Sequence, residues 1–403
     1  MRAEGETIFR REQCDRCHTV FDVPAADGPT PLPAARLPQP SDSRVGPDLG
    51  LEGHRRSDDW HAAHLYAPDV LVPGSRMPAS RHLFVTGGSL PPRLNDDGRA
   101  LVAWLQGLGR ARRDVWSEFR SQDPPVPVPA AVARAARRER GAALYAAWCV
   151  PCHGVQGDGR GPAAALLVVP PRDLTRAEFR FRSTPLGTPA ADADLFRVLT
   201  LGSGIGAAMP SFTFLDAEDR WALVQAVRTF APATRDAELD VTPAPAPGGA
   251  GAPPGDPSGS AAPAGAGAAS GAGAALGARL YAAWGCAACH GAEGEGKRID
   301  ERDRQGDAPE PVVWASDLRH PCGRRAGGSV AAFERALRLG VGPVMPAFAA
   351  VLDREPQAIP ALLAWLVSRA SETGTAERPA ASPPAEEPPP AVTPRALRAP
   401  GDR

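Results

Sequence analysis

Lysine is nearly missing from this chain. Lys297 is the only one, and arginine supplies the rest of the 45 basic residues, against 46 acidic ones. With a net charge of −1 there is no basic excess to hold a polyanion, which argues against nucleic acid or an anionic membrane surface as a partner. Long apolar runs are missing too. The densest, AAALLVVPP and IPALLAWLV, fall well short of the ~18–20 residues that span a bilayer. A secretory signal needs a basic start followed by an apolar core of roughly 7–15 residues, and MRAEGETIF has neither. Spare cysteine is absent as well. Six of the 7 cysteines sit in three C-x-x-C-H motifs and only Cys322 is left over, which excludes a disulfide framework. Methionine is scarce, with 4 in all.

What is present repeats three times, and a repeat must be recognised before any fold is assigned. The stretches GETIFRREQCDRCHTV, GAALYAAWCVPCHGVQGDG and GARLYAAWGCAACHGAEGEG each place an aromatic residue four positions after a glycine and C-x-x-C-H shortly after that. Each is followed by one Met-Pro pair, in SRMPAS, AAMPSF and PVMPAF, at His-to-Met separations of 59, 56 and 55 residues. Every methionine except Met1 therefore occupies the same slot, whereas core-filling methionines would be scattered. Each unit closes on a helical apolar pattern: GRALVAWLQGLG, EDRWALVQAVRTF or IPALLAWLVSRA. Between the units run Pro-rich and Gly/Pro/Ala-rich segments that cannot bury enough surface to offset their ordering entropy. The expected organisation is all-α, with units at 1–110, 138–232 and 274–370, linkers at 111–137 and 233–273, and a Pro-rich tail over 371–403. The third unit is expected to swing on its long tether.

The spacing has a chemical reading. Two thiols three residues apart can form thioethers to the vinyl groups of a haem, and the next residue, His, is then delivered to the iron. The opposite axial position must be filled from a distant loop, and a Met thioether there favours electron transfer over substrate chemistry. This makes Cys14, Cys17 and His18, then Cys149, Cys152 and His153, then Cys286, Cys289 and His290 the candidate attachment residues. Met77, Met209 and Met345 are the candidate distal ligands, with His18, His153 and His290 proximal. A zinc or thioredoxin-like C-x-x-C needs neither the following His nor the matched Met. Gly5, Gly141 and Gly277 are expected to let the first helix of each unit cross the last closely. Phe9, Tyr145 and Tyr281 would pack there against the helices bearing Trp104, Trp221 and Trp365. Backbone carbonyls should orient the proximal histidines; the candidates are Gly46 and Pro47, then Gly161 and Pro162, then Pro309 or Pro311. His54, His61 and His64 cluster in the first unit, where they are expected to hydrogen-bond haem propionates or lie at the surface, with a bis-His site as the alternative. His82 is expected in an exposed loop. Arg55, Arg56, Arg172, Arg182 and Arg319 are candidate propionate partners, and His320 and Cys322 frame an alternative thiolate ligand.

All three units resemble class I cytochrome c domains. The first, in RVGPDLGLEGHRRSDDWHAAHLYAPDVLVPGSRMPA, is similar to the mono-haem subunit of cbb-type haem–copper oxidases. The second resembles single-haem domains found beside periplasmic oxidoreductases. The resemblance implies three covalently attached haem c groups and one-electron transfer in a bacterial respiratory chain. The implied partners are redox proteins, a membrane quinol-oxidising complex or a terminal oxidase, with no nucleic acid and no evident small-molecule substrate. No residue is assigned a catalytic role. The rival is a haem enzyme of peroxidase or thiosulfate-oxidising type with one open or Cys-ligated iron. The location implied is the periplasm or the outer face of the cytoplasmic membrane, with membrane contact through a partner or through an anchor or signal expected upstream of Met1.

Overall fold

In this computed structural model the described residues are 2–20, 46–50, 52, 56–87, 90–108, 126–130, 133–185, 188–202, 208–235, 271–296, 298–299, 313–319, 324, 326–341 and 345–372. Expectations for the linker 236–270, the tail after 372, His54, Arg55, Pro309, Pro311, His320 and Cys322 fall outside them.

The architecture is helical. The first unit holds α1 (Arg2–Arg11), α2 (Asp58–Tyr66), α3 (Pro68–Leu71) and α4 (Asp96–Leu105). The second holds α5 (Arg134–Trp148), α6 (Val150–His153), α7 (Asp192–Leu201) and α8 (Ala217–Phe230). The third holds α9 (Gly271–Ala283), α10 (Cys286–His290), α11 (Val330–Leu339), α12 (Ala349–Leu352) and α13 (Ala358–Glu372). A two-residue antiparallel ladder, β1 (Arg298–Ile299) with β2 (Val313–Trp314), is the only sheet among the described residues.

Local chemistry sets the helix ends. Ser57, Asn95, Asp216 and Ser329 accept from the backbone N–H three residues on, at 3.0, 2.9, 2.7 and 3.0 Å, satisfying donors the helix cannot. Gly202 and Gly340 end α7 and α11 at φ of 67° and 74°, a conformation that costs glycine little.

In each unit the first helix crosses the last: α1 on α4, α5 on α8, α9 on α13. Glycine makes the close approach possible. A Cβ on Gly141 would collide with the Ala222 carbonyl, and one on Gly277 would lie 2.8 Å from the Trp365 Cβ and collide with the Ala361 carbonyl. Gly5 meets Ala100 and Trp104 in the same way. Phe9 packs on Trp104 with ring centroids 4.8 Å apart, and Tyr281 packs on Trp365 at 4.4 Å. The second unit differs. Ala226 occupies the place of Trp104 and Trp365 at the crossing, and Tyr145 packs on Phe230 at 4.8 Å. Trp221 points into the core instead, 4.5 Å from Phe196, with its indole N–H donating to Pro127 O.

Each crossing has its own apolar core. A fourth cluster joins two units: Ala63, Ala67 and Leu71 of the first pack with Ala163, Leu166 and Leu167 of the second. The second and third units face each other across a cleft lined by Arg180, Arg182 and Arg197 on one side and Arg335 on the other.

Candidate functional site

The three C-x-x-C-H motifs stand on short helical turns, over Cys14–Arg16, α6 and α10. Among the described residues all six motif cysteines are free thiols and half-buried. Burial pushes Cys14, Cys152 and Cys286 up to about 11 and Cys149 up to about 12. Among the described residues no group of three or more His, Cys, Asp or Glu side chains converges to hold a metal ion.

The histidine of each motif meets one backbone carbonyl. Nδ1 lies 2.9 Å from Pro47 O for His18, 2.9 Å from Arg172 O for His153 and 2.9 Å from Ser316 O for His290. A carbonyl only accepts, so Nδ1 carries the proton and Nε2 keeps its lone pair for an iron. Burial holds His153 and His290 below the ordinary imidazole value, with the carbonyl bond partly opposing it.

Pro47 is as expected from the sequence. In the second unit the acceptor is Arg172, not Gly161 or Pro162, and in the third it is Ser316. A shared signal marks all three acceptors: each is followed by Asp-Leu, as Asp48-Leu49, Asp173-Leu174 and Asp317-Leu318. The Asp carboxylate accepts from the N–H two residues on, at 2.9, 2.9 and 3.0 Å, closing an Asx turn. The Leu N–H returns to the haem-motif loop, to Thr19 O at 2.8 Å, Gly157 O at 2.6 Å and Gly294 O at 2.8 Å. The turn thus aims the preceding carbonyl at the imidazole. Gly161, expected as an acceptor, instead leaves room beside the motif, where a Cβ would lie 2.7 Å from the Cys152 carbonyl carbon.

The methionines come to the same cores as the motif cysteines. Cys14 and Met77 pack on one cluster, Cys149 and Met209 on the second, Cys286 and Met345 on the third. One bond hangs each Met loop on a helix. The N–H three residues after the Met donates to a leucine carbonyl: Ser80 to Leu65 at 2.8 Å, Phe212 to Leu199 at 2.9 Å, Phe348 to Leu337 at 2.8 Å. Tyr145 and Tyr281 add a bond from their hydroxyls to the carbonyls of Gly154 and Gly291, at 2.9 and 2.7 Å, directly after each His. The first unit has Phe9 in place of the tyrosine, so it lacks the donor hydroxyl of that bond.

The other candidates fall into distinct places. His61 is buried, and burial pushes it down to about 3; His64 is held down at about 4 for the same reason. His61 Nε2 lies 4.0 Å from Glu52. His82 is exposed and 2.7 Å from Glu12. Arg56 lies over the Trp60 ring at 4.6 Å, and Arg319 pairs with Asp317 at 2.9 Å. Arg172 lies at its His through the backbone, while burial lowers its guanidinium to about 10.

These residues fit haem. His18, His153 and His290 are oriented with Nε2 available, a Cβ on Gly46 would lie 2.6 Å from the His18 ring, and His64 Nδ1 is buried without a hydrogen-bond partner.

Residues 136–225 and 272–366 match the family model of the cbb3-type cytochrome c oxidase subunit III. Residues 39–90 match the model of the cytochrome c oxidase mono-haem subunit, FixO. The all-α chain belongs to the class I cytochrome c family, and its first unit resembles the mono-haem subunit of cbb-type oxidases. Its domains are haem c domains, and the chain is of electron-transfer type. A solved chain from a reducing HAO-like protein complex of Kuenenia stuttgartiensis is similar over 60% of this chain and 99% of its own, at 22% identity and a TM-score of 0.44. Comparison with curated proteins gives no match. Among the described residues no helix is long and apolar enough to cross a membrane.

Proposed function

We propose that the chain is a tri-haem c-type cytochrome that passes electrons one at a time between redox proteins outside the cytoplasm. The observation that carries this reading is the threefold repetition of one arrangement: a His oriented by a carbonyl, with a Met on the same core as the motif's first Cys. In this reading the Cys pairs 14/17, 149/152 and 286/289 hold the haems. His18, His153 and His290 bind one face of each iron, and Met77, Met209 and Met345 the other. Domains at 1–110, 138–232 and 274–370 carry one centre each. A haem with both axial positions filled supplies reversible one-electron chemistry and leaves no open position for a substrate.

The chain's own residues do the rest. The X-Asp-Leu turns fix each imidazole, and the Met-Pro loops are pinned to α2, α7 and α11. The half-buried cores keep water from the centres. In this reading the partners are redox proteins, a membrane quinol-oxidising complex or a terminal oxidase, met in the periplasm or at the outer face of the cytoplasmic membrane. The likeness of 39–90 to an oxidase subunit supports the oxidase.

The test is a spectrum of the reduced, haem-loaded protein with and without carbon monoxide. No prompt change is expected. Binding by one third of the haem would show an open iron and overturn the carrier reading in favour of an enzyme.

A further inference from the structure

The first two units are not simply strung together. The α2–α3 face of unit one, with Trp60, Ala63, Tyr66, Ala67, Val70 and Leu71, packs onto a surface of unit two that contains Cys152 and Ala208. Cys152 is the second cysteine of the C-x-x-C-H motif, and Ala208 precedes Met209. The first unit therefore sits on the edge of the second where the cofactor would be attached and where its distal loop returns. Ala63 and Ala163 are both 0% exposed, so the contact is closed to solvent at its centre. A polar bond pins it: Asp59 Oδ2 accepts from the backbone N–H groups of Val168 and Val169 at 3.1 and 3.4 Å.

The same face holds an aromatic pair. The Trp60 and His64 rings stack with centroids 4.7 Å apart and 13° between planes. On one side, Trp60 lies in the cluster that contains Cys152. On the other, His64 belongs to unit one, its Nδ1 buried and without a hydrogen-bond partner. Arg56 covers the outer face of Trp60. Gln106, at the end of α4, fixes the start of α2 through Arg56 O at 2.9 Å and Asp58 Oδ1 at 2.8 Å. A stacked aromatic pair thus stands between unit one and the cluster that holds the attachment cysteine of unit two.

We propose that the Trp60–His64 stack is the electron path between the first two centres, and that the α2–α3 face is a permanent dock holding them in register. The inference rests on the carrier reading. One electron leaves the reduced centre and reaches the oxidised one; no bond forms or breaks, and no proton moves. Tunnelling decays less steeply through packed π-systems than across a gap, which is what this placement supplies. The dock also covers the attachment edge of unit two, so an outside partner of that edge must compete with unit one.

The test uses the full haem-loaded chain. Electrons are injected by a photoreductant, and their equilibration between the first two centres is followed by transient absorption. The midpoint potentials and the amide exchange of 163–169 are measured alongside. Trp60→Leu is expected to slow equilibration by roughly an order of magnitude, with potentials and exchange unchanged, and Trp60→Phe to restore most of the rate. A wild-type rate in Trp60→Leu overturns the path. If that variant loosens the dock and raises exchange at 163–169, His64→Leu on the unit-one side decides: a slow rate with protected 163–169 supports the path, and a wild-type rate overturns it. Haem-free cysteines at 14/17 or 149/152 would instead overturn the carrier reading.

Discussion

His153 Nδ1 donates to the carbonyl oxygen of Arg172, 19 residues downstream, at 2.9 Å. The same relation joins His18 to Pro47 and His290 to Ser316. Three unlike residues serve because the backbone makes the bond and the following Asp shapes the turn. Asp173 closes that turn through the Thr175 N–H and hydroxyl, at 2.9 and 2.6 Å. Asp173→Ala should loosen the carbonyl, weaken the bond to His153 and make the imidazole a poorer donor to the iron. The expected result is a rise of tens of millivolts in the potential of the second centre, with the other two unmoved, read by spectroelectrochemical titration.

That relation also marks how far the sequence could be read. In the carrier reading the C-x-x-C-H and Met-Pro repeats answer covalent and ligand demands, so they stand out as motifs. Pro47 was legible because the G-P pair of the first unit is itself distinctive. Arg172 and Ser316 were not legible because the G-P pair of the second unit and the lone prolines of the third imitate the first unit's signal, whereas the common signal is X-Asp-Leu, which carries the turn. Tyr145 packs as expected on the helix that bears Trp221, but through Phe230, while Trp221 itself turns into the core. It precedes Ala222 by one residue, and one step on a helix turns a side chain away from the crossing. The dock was not legible because small alanines make it, and alanine patterns look alike on any helix.

The helix crossings depend on missing side chains. Gly141→Ala puts a Cβ into the Ala222 carbonyl, backbone that cannot rotate away. We expect a loss of roughly 1–3 kcal/mol in the second unit, the usual cost of overpacking. Chemical denaturation monitored at the second haem would measure it.

A buried ion pair ties α7 to α8. Asp192 is 2% exposed, and Arg228 Nη1 lies 2.6 Å from its carboxylate. Arg228→Leu leaves that carboxylate buried without its main counter-charge, and such breaks cost roughly 3–5 kcal/mol. The double change Arg228→Leu with Asp192→Leu should recover much of the loss. A thermal unfolding series would show whether it does.

Acid should weaken the first unit. Burial holds His61 at about 3 in the folded protein, while an unfolded histidine titrates near ~6.5. Between those values the unfolded chain binds the extra proton. The stabilising contribution is therefore complete above about pH 6.5 and is lost as pH falls toward the folded value. His61→Leu should flatten this decline. Unfolding curves at about pH 7 and about pH 5 test it, and the wild type should lose more stability than the variant across that interval.

The central claim is that three equivalent sites each hold one covalent haem. The mass of the intact, denatured protein, produced where haem is attached to exported cytochromes, tests it most directly. The account predicts the polypeptide plus three haems. A product with two haems or fewer, from cells that fully mature other c-type cytochromes, would contradict it.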